Sequence, residues 1–422
     1  PGGRFRETYY WDSLWIVHGL LASGMLELAK GLVQNLLGDV DEFGFVPNGG
    51  RIYYLNRSQP PLLCAMVTAV ACAMDQEAAA QWLPQVIGTL RREYDWWMSP
   101  DHGHAVHVGD HTLNRFFAHW DEPRPESYWQ DYDTAGGDPL VYRQLATVAE
   151  TGWDFSSRWT RSGGLAEGGV EAFRLKDSEA TQIIPIDLNA ILYRFELGLA
   201  TLYEAIAKGI SVPDAESAVA KGSGSSTEAI VFVEAAKSRR IAINDIFWDE
   251  LSGRWVDAWC PTGSDASKPI SLERVLSSRA ASARAPTLAD FAAALWAGLA
   301  GPEQASSCIA ALKRSGLIGA GGVATTALRT GEQWDAPNAW PPLQSMLIEG
   351  LDKYGGEEGK ALAAELAQCW VGTCYAAWRS TGFMHEKYSA AEFGKGGAGG
   401  EYEPQVGFGW SNGVVLQLLV QY

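Results

Sequence analysis

An all-α fold is predicted by three features of the amino-acid sequence. Apolar residues recur at helical spacing, sustained alternation of apolar and polar residues is absent, and long polar segments separate the helical stretches. With 422 residues, of which 47% are apolar, the chain is long enough to bury a sizeable core. We therefore predict one helical domain that covers residues 1–422.

The helical stretches show apolar residues three and four positions apart, a pattern that lines one face of a helix. One such pattern comprises Leu188, Leu192, Phe195, Leu199, Leu202 and Ile206. Shorter patterns comprise Leu288, Phe291 and Leu295, and further along the chain Leu362, Leu366 and Trp370. Each pattern predicts a helix with one buried face.

The segments between the helices are rich in Gly, Pro, Trp and charged residues. They cover residues 43–61, 99–135, 150–187, 256–287, 317–342 and 382–410. Connections of this length usually carry function, so we predict that they gather at one end of a set of paired helices. The Gly- and Ser-rich stretch 221–226 is predicted to be a flexible surface insertion, because helical patterns flank it on both sides.

The charge balance argues against binding to nucleic acid. The chain has 33 Lys and Arg against 50 Asp and Glu, a formal charge of −17, which repels phosphate backbones and anionic lipid. No run approaches the roughly 18 apolar residues that span a bilayer, so we predict no membrane insertion. The start Pro1-Gly2-Gly3-Arg4 lacks the features of a signal peptide, and the sequence indicates no compartment.

The six cysteines show neither a C-x-x-C pair nor a neighbouring His at metal-ligand spacing. We therefore predict no metal site and no disulfide framework. One match to the N-glycosylation pattern, Asn56-Arg57-Ser58, overlaps a motif that we assign to a ligand pocket. We expect no glycan at that position.

Two segments, 1–12 and 332–342, combine arginine, carboxylate and tryptophan side chains. Guanidinium forks and carboxylates form directional hydrogen bonds to vicinal hydroxyl groups, and indole faces cover sugar rings. Both clusters therefore fit a pocket for a polyhydroxylated ligand. A structural cluster of ion pairs explains the same composition equally well.

Both segments resemble the two signature motifs of the trehalases, glycoside hydrolase family 37. The resemblance continues in the family's order through residues 47–49, 56–61, 124–128, 152–159, 184–189, 385–388, 399–402 and 407–413. It implies an (α/α)6 barrel, in which six outer helices surround six inner ones and loops at one end form the active-site cup. It also implies a family segment ahead of the first motif, which we expect this chain to lack.

The resemblance implies inverting hydrolysis of α,α-trehalose to α-glucose and β-glucose. This reaction requires one protonated carboxyl group and one carboxylate on opposite sides of the sugar. The resemblance assigns Asp154 as the general acid and Glu386 as the general base that activates water. From the residues alone, Asp154 could instead cap a helix, and Glu386 could be a solvated loop charge.

The resemblance also implies a set of substrate-binding residues. They are Arg4, Trp11, Asp12, Asn48, Arg57, Ser58, Gln59, Arg124, Pro125, Glu126, Gly152 and Glu401. Ordinary surface pairing is the alternative for the three arginines. The substrate is a small molecule, trehalose, and no cofactor is implied, because displacement by water with acid–base assistance uses only side chains.

Three other functions remain open from the sequence. The first is another inverting (α/α)6 enzyme, such as a glucoamylase-like hydrolase or a disaccharide phosphorylase. The second is a catalytically silent sugar-binding protein on the same fold, although it would be expected to lack Asp154 or Glu386. The third is a piece of the enzyme that is inert without the upstream segment.

Overall fold

The computed structural model describes residues 2–161, 173–220, 226–261, 268–281 and 284–422. These residues contain fifteen α-helices. The helices are α1 (Asp12–Ala22), α2 (Leu26–Phe43), α3 (Leu63–Ala73), α4 (Gln76–Met98), α5 (Tyr128–Ala135), α6 (Pro139–Glu150), α7 (Ile186–Lys208), α8 (Val212–Ala220), α9 (Thr227–Phe247), α10 (Leu272–Ala281), α11 (Ala289–Trp296), α12 (Pro302–Arg314), α13 (Pro341–Tyr354), α14 (Gly356–Thr381) and α15 (Gly409–Gln421).

Short strands and 3-10 helices occupy parts of the connections. The strands are β1 (Ala105–Val108), β2 (His111–Asn114), β3 (Ile183–Ile184), β4 (Trp248–Asp249), β5 (Arg254–Trp255), β6 (Ala258–Trp259), β7 (Ile318–Gly319), β8 (Gly322–Val323), β9 (Asn338–Ala339) and β10 (Tyr388–Ser389). They form antiparallel pairs β1–β2, β3–β6, β4–β5, β7–β8 and β9–β10. The 3-10 helices cover Ile52–Asn56, Pro100–His102, Pro125–Ser127, Ser157–Trp159, Leu175–Asp177 and Ala180–Gln182. The prediction of an all-α fold is confirmed.

Six of the helices form a closed ring. Helix α1 packs against α3, α3 against α7, α7 against α11, α11 against α13, α13 against α15, and α15 against α1. Outside this ring, α2 packs on α1 and α3, α4 on α3 and α7, and α9 on α7. Helix α12 packs on α11, and α14 on α13 and α15. The inner helices therefore bury both their outer and their inner faces, as in a two-layered helical barrel.

The predicted apolar patterns lie on α7, α11 and α14. On α7, Leu188, Leu192 and Leu199 are fully buried, as the spacing of their side chains predicts. Local signals fix several helix boundaries. The carboxylate of Asp75 accepts a hydrogen bond from the Ala78 N–H at 2.8 Å and caps α4, and the first turn of α13 holds Pro341, whose missing N–H removes no helical hydrogen bond there.

Helices α1 and α15 cross at glycines. A Cβ atom at Gly413 would lie 2.0 Å from the carbonyl oxygen of Trp15, and one at Gly19 would lie 2.5 Å from the Cα atom of Gly413. No side chain fits at such distances, so both positions require glycine. This crossing joins the first and the last inner helix, and it closes the ring.

The structure also bears on the predictions for the insertion at 221–226, for the cysteines and for membrane-spanning helices. Of the predicted insertion at 221–226, residues 221–225 lie outside the described part of the chain. All six cysteines lie within it, and each is a free thiol. Among the described helices, none combines the length and the apolar character that crossing a bilayer requires.

Candidate active site

Most of the long connections contribute to the wall of a cavity of about 330 Å³. Its walls are formed by loop residues and by the ends of helices. They comprise Arg4, Phe5, Glu7, Tyr9, Trp11, Asp12, Asn48, Arg51, Tyr53, Tyr54, Arg57, Gln59, Arg124, Glu126, Ser127, Ala149, Gly152, Asp154, Gln333, Trp334, Trp340, Glu386, Glu401, Tyr402, Phe408 and Trp410. The cavity has the size of a small-molecule site, with several polar groups directed at one space.

Both predicted catalytic residues and most of the predicted substrate-binding residues line this cavity. They are Arg4, Trp11, Asp12, Asn48, Arg57, Gln59, Arg124, Glu126, Gly152, Asp154, Glu386 and Glu401. The predicted loop 256–287 differs from the other long segments, since its described residues contribute nothing to the cavity wall. Its Asp257 accepts a hydrogen bond from Arg158 at 2.9 Å and supports the loop of Asp154 from behind.

Ser58 and Pro125 do not line the cavity, in contrast to the sequence prediction. The hydroxyl group of Ser58 donates a hydrogen bond to the Val46 carbonyl at 2.7 Å, and its N–H donates to the Glu150 carboxylate at 3.0 Å. Ser58 is therefore fully buried beneath the wall. Pro125 is exposed and begins the 3-10 turn that follows Arg124. Both residues fix the backbone beside residues that do face the cavity.

Asp154 lies on a sharp turn that begins at Gly152. The backbone of Gly152 has a φ of +78°, and a Cβ atom there would lie 2.8 Å from the Trp11 ring. Only glycine combines this conformation with this close approach. Asp154 is not a helix cap, because the hydroxyl of Ser156 accepts the N–H of Arg158 and caps the following 3-10 turn.

The side chain of Asp154 lies in surroundings that favour its neutral form. Burial raises the pKa of Asp154 to about 7, and the Glu401 carboxylate acts in the same direction. The guanidinium groups of Arg124 and Arg57 oppose this increase without cancelling it. A carboxyl group with such a pKa keeps its proton at mildly acidic pH and can serve as a general acid.

Stacked indoles form the wall beside Asp154. The rings of Trp334 and Trp340 are parallel within 2° with centroids 3.9 Å apart, and the ring of Trp153 also stacks on Trp334 with centroids 5.5 Å apart. Trp11 lies tilted against Trp334 at 5.7 Å. These rings are almost fully buried, so their faces are fixed by packing before any ligand binds.

Glu386 lies on a segment that is paired with residues 405–407. Its N–H donates to the Gln405 carbonyl at 2.9 Å, and its own carbonyl accepts the indole N–H of Trp410 at 2.9 Å. The carboxylate accepts hydrogen bonds from the Tyr402 hydroxyl at 2.5 Å and from the Gln405 N–H at 3.1 Å. With 1% of its surface exposed, Glu386 is a buried acceptor and not a solvated loop charge.

Of the three predicted substrate-binding arginines, two are buried and one is exposed. Arg124 is held by Asp131, which accepts its Nε and Nη2 at 2.9 Å and 2.7 Å, and its guanidinium lies 4.9 Å from the centre of the Phe155 ring. Arg57 pairs with Glu126. Arg4 is exposed at the cavity mouth. Arg57 and Arg124 therefore fit both alternatives offered by the sequence. Each forms an ion pair with a neighbouring carboxylate, and each also lines the cavity.

Glu126 shows how strongly the two buried arginines act. Burial alone would raise the pKa of Glu126, but the guanidinium groups of Arg57 and Arg124 outweigh burial and hold that pKa below its usual value. Glu126 is therefore a carboxylate, and it keeps both arginines oriented along one wall of the cavity.

The second signature-like segment contains one residue with a structural role. Asp335 is fully buried and accepts hydrogen bonds from the hydroxyls of Ser156 at 2.8 Å and Ser157 and Thr326 at 2.9 Å. It joins the loop of Asp154 to the loop 326–338 and does not reach the cavity. Gln333, Trp334 and Trp340 of the same segment do line it.

Several wall residues are not among the predicted catalytic and substrate-binding residues. They are Phe5, Glu7, Tyr9, Arg51, Tyr53, Tyr54, Ser127, Ala149, Gln333, Trp334, Trp340, Tyr402, Phe408 and Trp410. Many belong to the segments that carry the resemblance, so their position in those segments was an available signal. Arg51, Tyr53 and Tyr54 lie between such segments, and no local pattern indicates that they face a cavity.

A sequence profile of the trehalase family matches residues 1–422. A probable trehalase of Oryza sativa subsp. japonica is 40% identical to this chain, which aligns over its whole length with 72% of that protein. The chain belongs to the trehalase family. Trehalases of Arabidopsis thaliana and Homo sapiens are each 36% identical to the whole chain, which covers 63% and 66% of their lengths. The chain thus spans about two thirds of these glycoside hydrolases.

The helical ring of this chain also occurs in solved structures. The neutral trehalase of Saccharomyces cerevisiae superposes with a TM-score of 0.73 at 25% identity, over 99% of this chain and 72% of that one. The GH63 mannosylglycerate hydrolase of Thermus thermophilus superposes with a TM-score of 0.60 at 17% identity, over 99% and 94%, a likeness of fold alone. The predicted (α/α)6 barrel and the resemblance to trehalases are both confirmed.

Proposed function

We propose that this chain hydrolyses α,α-trehalose with inversion, with Asp154 as the general acid and Glu386 as the general base. The observation that carries the proposal is the contrast between two carboxyl groups that line the same cavity. Burial favours the protonated form of Asp154, whereas Glu386 accepts two hydrogen bonds as a carboxylate does. Membership of the trehalase family supports trehalose as the substrate.

The proposed reaction is a single displacement. Asp154 gives its proton to the oxygen that bridges the two glucose units, while Glu386 takes a proton from a water molecule. The oxygen of that water bonds to the anomeric carbon on the side opposite the breaking C–O bond. One product is therefore β-glucose, and the leaving unit keeps its configuration as α-glucose. The net change is the addition of one water molecule.

The remaining wall residues fit the binding of two pyranose rings. Indole faces cover the apolar sides of sugar rings, and the buried pairs of Arg57 with Glu126 and Arg124 with Asp131 offer fixed hydrogen-bonding groups to hydroxyls. We propose the twelve predicted residues that line the cavity as its catalytic and binding set. Ser58 and Pro125 act through the backbone of their neighbours.

The test follows the anomers of glucose by proton NMR before mutarotation equalises them. Trehalose should give α-glucose and β-glucose in equal amounts in the first spectra. Early release of α-glucose alone would contradict the proposal, because a retaining enzyme gives that result. Maltose and sucrose are assayed in parallel, and faster cleavage of either would assign the chain to another barrel hydrolase.

A further measurement tests the geometry of the displacement. In an inverting enzyme the base activates a water, so its carboxyl group should lie roughly 6.5–9.5 Å from that of the acid, against about 5–5.5 Å in a retaining enzyme. We expect the wider separation between Asp154 and Glu386 in a crystal structure with a bound disaccharide analogue. A separation in the narrower range would contradict inversion.

A further inference from the structure

Lys387 is a buried cation directly behind the cavity. Its side chain is fully shielded from solvent, and it does not belong to the cavity wall. Removing an ammonium group from water is costly unless nearby groups compensate for the lost hydration. The role of Lys387 is therefore to be sought in the groups that surround its ammonium.

Those groups come from two segments of the chain, 333–340 and 386–402. The Nζ atom of Lys387 lies 3.8 Å from Oε2 of Glu386 and donates a hydrogen bond to Oε1 of Gln333 at 2.9 Å. It also lies 4.9 Å from the centre of the Trp340 ring and 5.5 Å from that of the Tyr402 ring. Two aromatic faces, one amide oxygen and one carboxylate therefore surround the charge.

Gln333 extends this contact to the loop of the acid. Its side-chain amide donates a hydrogen bond to the main-chain carbonyl of Asp154. Its own carbonyl accepts the indole N–H of Trp340 at 2.9 Å and the amide of Asn338 at 3.0 Å, so its backbone is fixed. A continuous chain of contacts therefore runs from the Glu386 carboxylate through Lys387 and Gln333 to the backbone of Asp154.

We infer that Lys387 is a positioning residue that places positive charge beside the Glu386 carboxylate and, through Gln333, fixes its position relative to Asp154. The inference rests on the proposed function, since it assigns Lys387 to the support of a general base. Lys387 contacts no substrate in this scheme. It acts through the charge and the place of Glu386.

The other charged and titratable groups around Glu386 show why a nearby cation matters. Asp12 on α1 and Asp154 on the opposite loop are acidic, and the carboxylate of Glu386 contributes to the raised pKa of Asp12. The neutral Tyr402 hydroxyl donates a hydrogen bond to Glu386, and the Arg4 guanidinium lies 5.2 Å from the centre of the Tyr402 ring. Burial lowers the pKa of Lys387, and the carboxylates of Glu386 and Asp154 counteract this decrease. Lys387 thus supplies positive charge at the base.

The test compares pH profiles of kcat and kcat/KM for trehalose in wild type, Lys387→Met and Lys387→Arg. Without the ammonium 3.8 Å from its carboxylate, the charged base loses a favourable interaction, so the acid limb of the Lys387→Met profile should move to higher pH. The alkaline limb should move to higher pH by a smaller amount, because Lys387 interacts more weakly with Asp154 than with Glu386. KM should stay within about twofold, since Lys387 lies outside the wall, and Lys387→Arg should restore the acid limb.

The matched control is Lys395→Met, which removes an exposed lysine of the same loop that pairs with Glu392 at 2.7 Å. Its pH profile should equal that of the wild type. An unmoved acid limb in Lys387→Met would overturn the inference. Lys387→Gln gives a second neutral variant, and failure of both neutral variants to fold would assign Lys387 to stability instead. A wild-type protein that does not cleave trehalose would overturn the proposed function, which is a separate outcome.

Discussion

Asp154 and Glu386 line the same cavity, but their neighbours differ in kind. Burial dominates at Asp154 and is reinforced by the carboxylate of Glu401, so the neutral acid is favoured there. At Glu386, a hydroxyl and a backbone N–H donate to the carboxylate and an ammonium lies 3.8 Å away. Hydrogen bonds to the charged form favour that form. The same functional group therefore has two different surroundings, and these fit the two roles that we propose for it.

The two loops also differ in how they are held. The loop of Asp154 is fixed from below by buried polar groups, among them Asp335, whose carboxylate accepts several hydroxyls. The loop of Glu386 is fixed by backbone pairing with 405–407, where the Gly407 N–H donates to the Met384 carbonyl at 2.7 Å. A change in either support is therefore expected to affect one carboxyl group more than the other.

The largest expected effect is the loss of either carboxyl group. Asp154→Asn and Glu386→Gln should each lower kcat for trehalose by about 10²–10⁴-fold, the usual contribution of a general acid or base. Both variants are nearly isosteric, so their melting temperatures should stay close to that of the wild type. Glu392→Gln, at an exposed position of the Glu386 loop, is the matched control and should keep full activity.

A substrate with a better leaving group separates the two roles. Fluoride departs with little help from a proton, so Asp154→Asn should cleave α-glucosyl fluoride much faster than trehalose, relative to wild type. Glu386→Gln should remain defective on both, because the attacking water still lacks its base. Equal defects of the two variants on both substrates would contradict the assignment of acid and base.

A smaller effect is expected from the wall of buried arginines. Arg57→Lys keeps the charge but cannot reproduce a guanidinium fork that contacts Glu126 and also donates to Asn56 at 3.2 Å. Hydrogen bonds to charged groups contribute about 1.5–3 kcal/mol, so kcat/KM should fall by about ten- to a hundredfold. The control is Arg143→Lys, a partly exposed arginine that pairs with Asp121 and does not line the cavity, which should leave kcat/KM unchanged. Unchanged kinetics of Arg57→Lys would return Arg57 to a purely structural pair.

The difference between the loops also marks what the sequence can predict. Helical spacing of apolar residues located α7, α11 and α14, because a helix buries its face through local geometry. The resemblance placed Asp154 and Glu386 in one site. Neither signal predicts that Lys387 and Gln333 join the two loops, since that contact depends on how segments 54 positions apart meet in the folded chain.

Ser58 and Asp335 show the opposite limit of sequence patterns. Both belong to segments that resemble family motifs, yet both lie beneath the wall and bind other protein groups. A motif preserves the residues that shape a site together with those that touch its ligand. Side-chain direction separates the two classes, and it follows from backbone torsions that the one-dimensional pattern does not specify.

The smallest expected effect comes from two adjacent residues that face different carboxyl groups. The Glu401 carboxylate contributes to the raised pKa of Asp154, whereas the Tyr402 hydroxyl donates to Glu386 at 2.5 Å. Glu401→Gln removes a negative charge, so the pKa of Asp154 should fall and the alkaline limb of kcat/KM should move to lower pH. Tyr402→Phe removes a hydrogen-bond donor to the charged form of the base, so the acid limb should move to higher pH.

Each limb should move by about 0.5–1 pH unit, because each change removes one neighbour among several. The position of the limbs is the relevant measurement, since Glu401 lines the cavity and its loss also alters KM. The control is Tyr375→Phe, an exposed tyrosine on α14, which should leave both limbs unmoved. The double variant should narrow the profile from both sides, because the two shifts act on separate groups. If both single variants moved the same limb, Asp154 and Glu386 would not be the independent acid and base of this cavity.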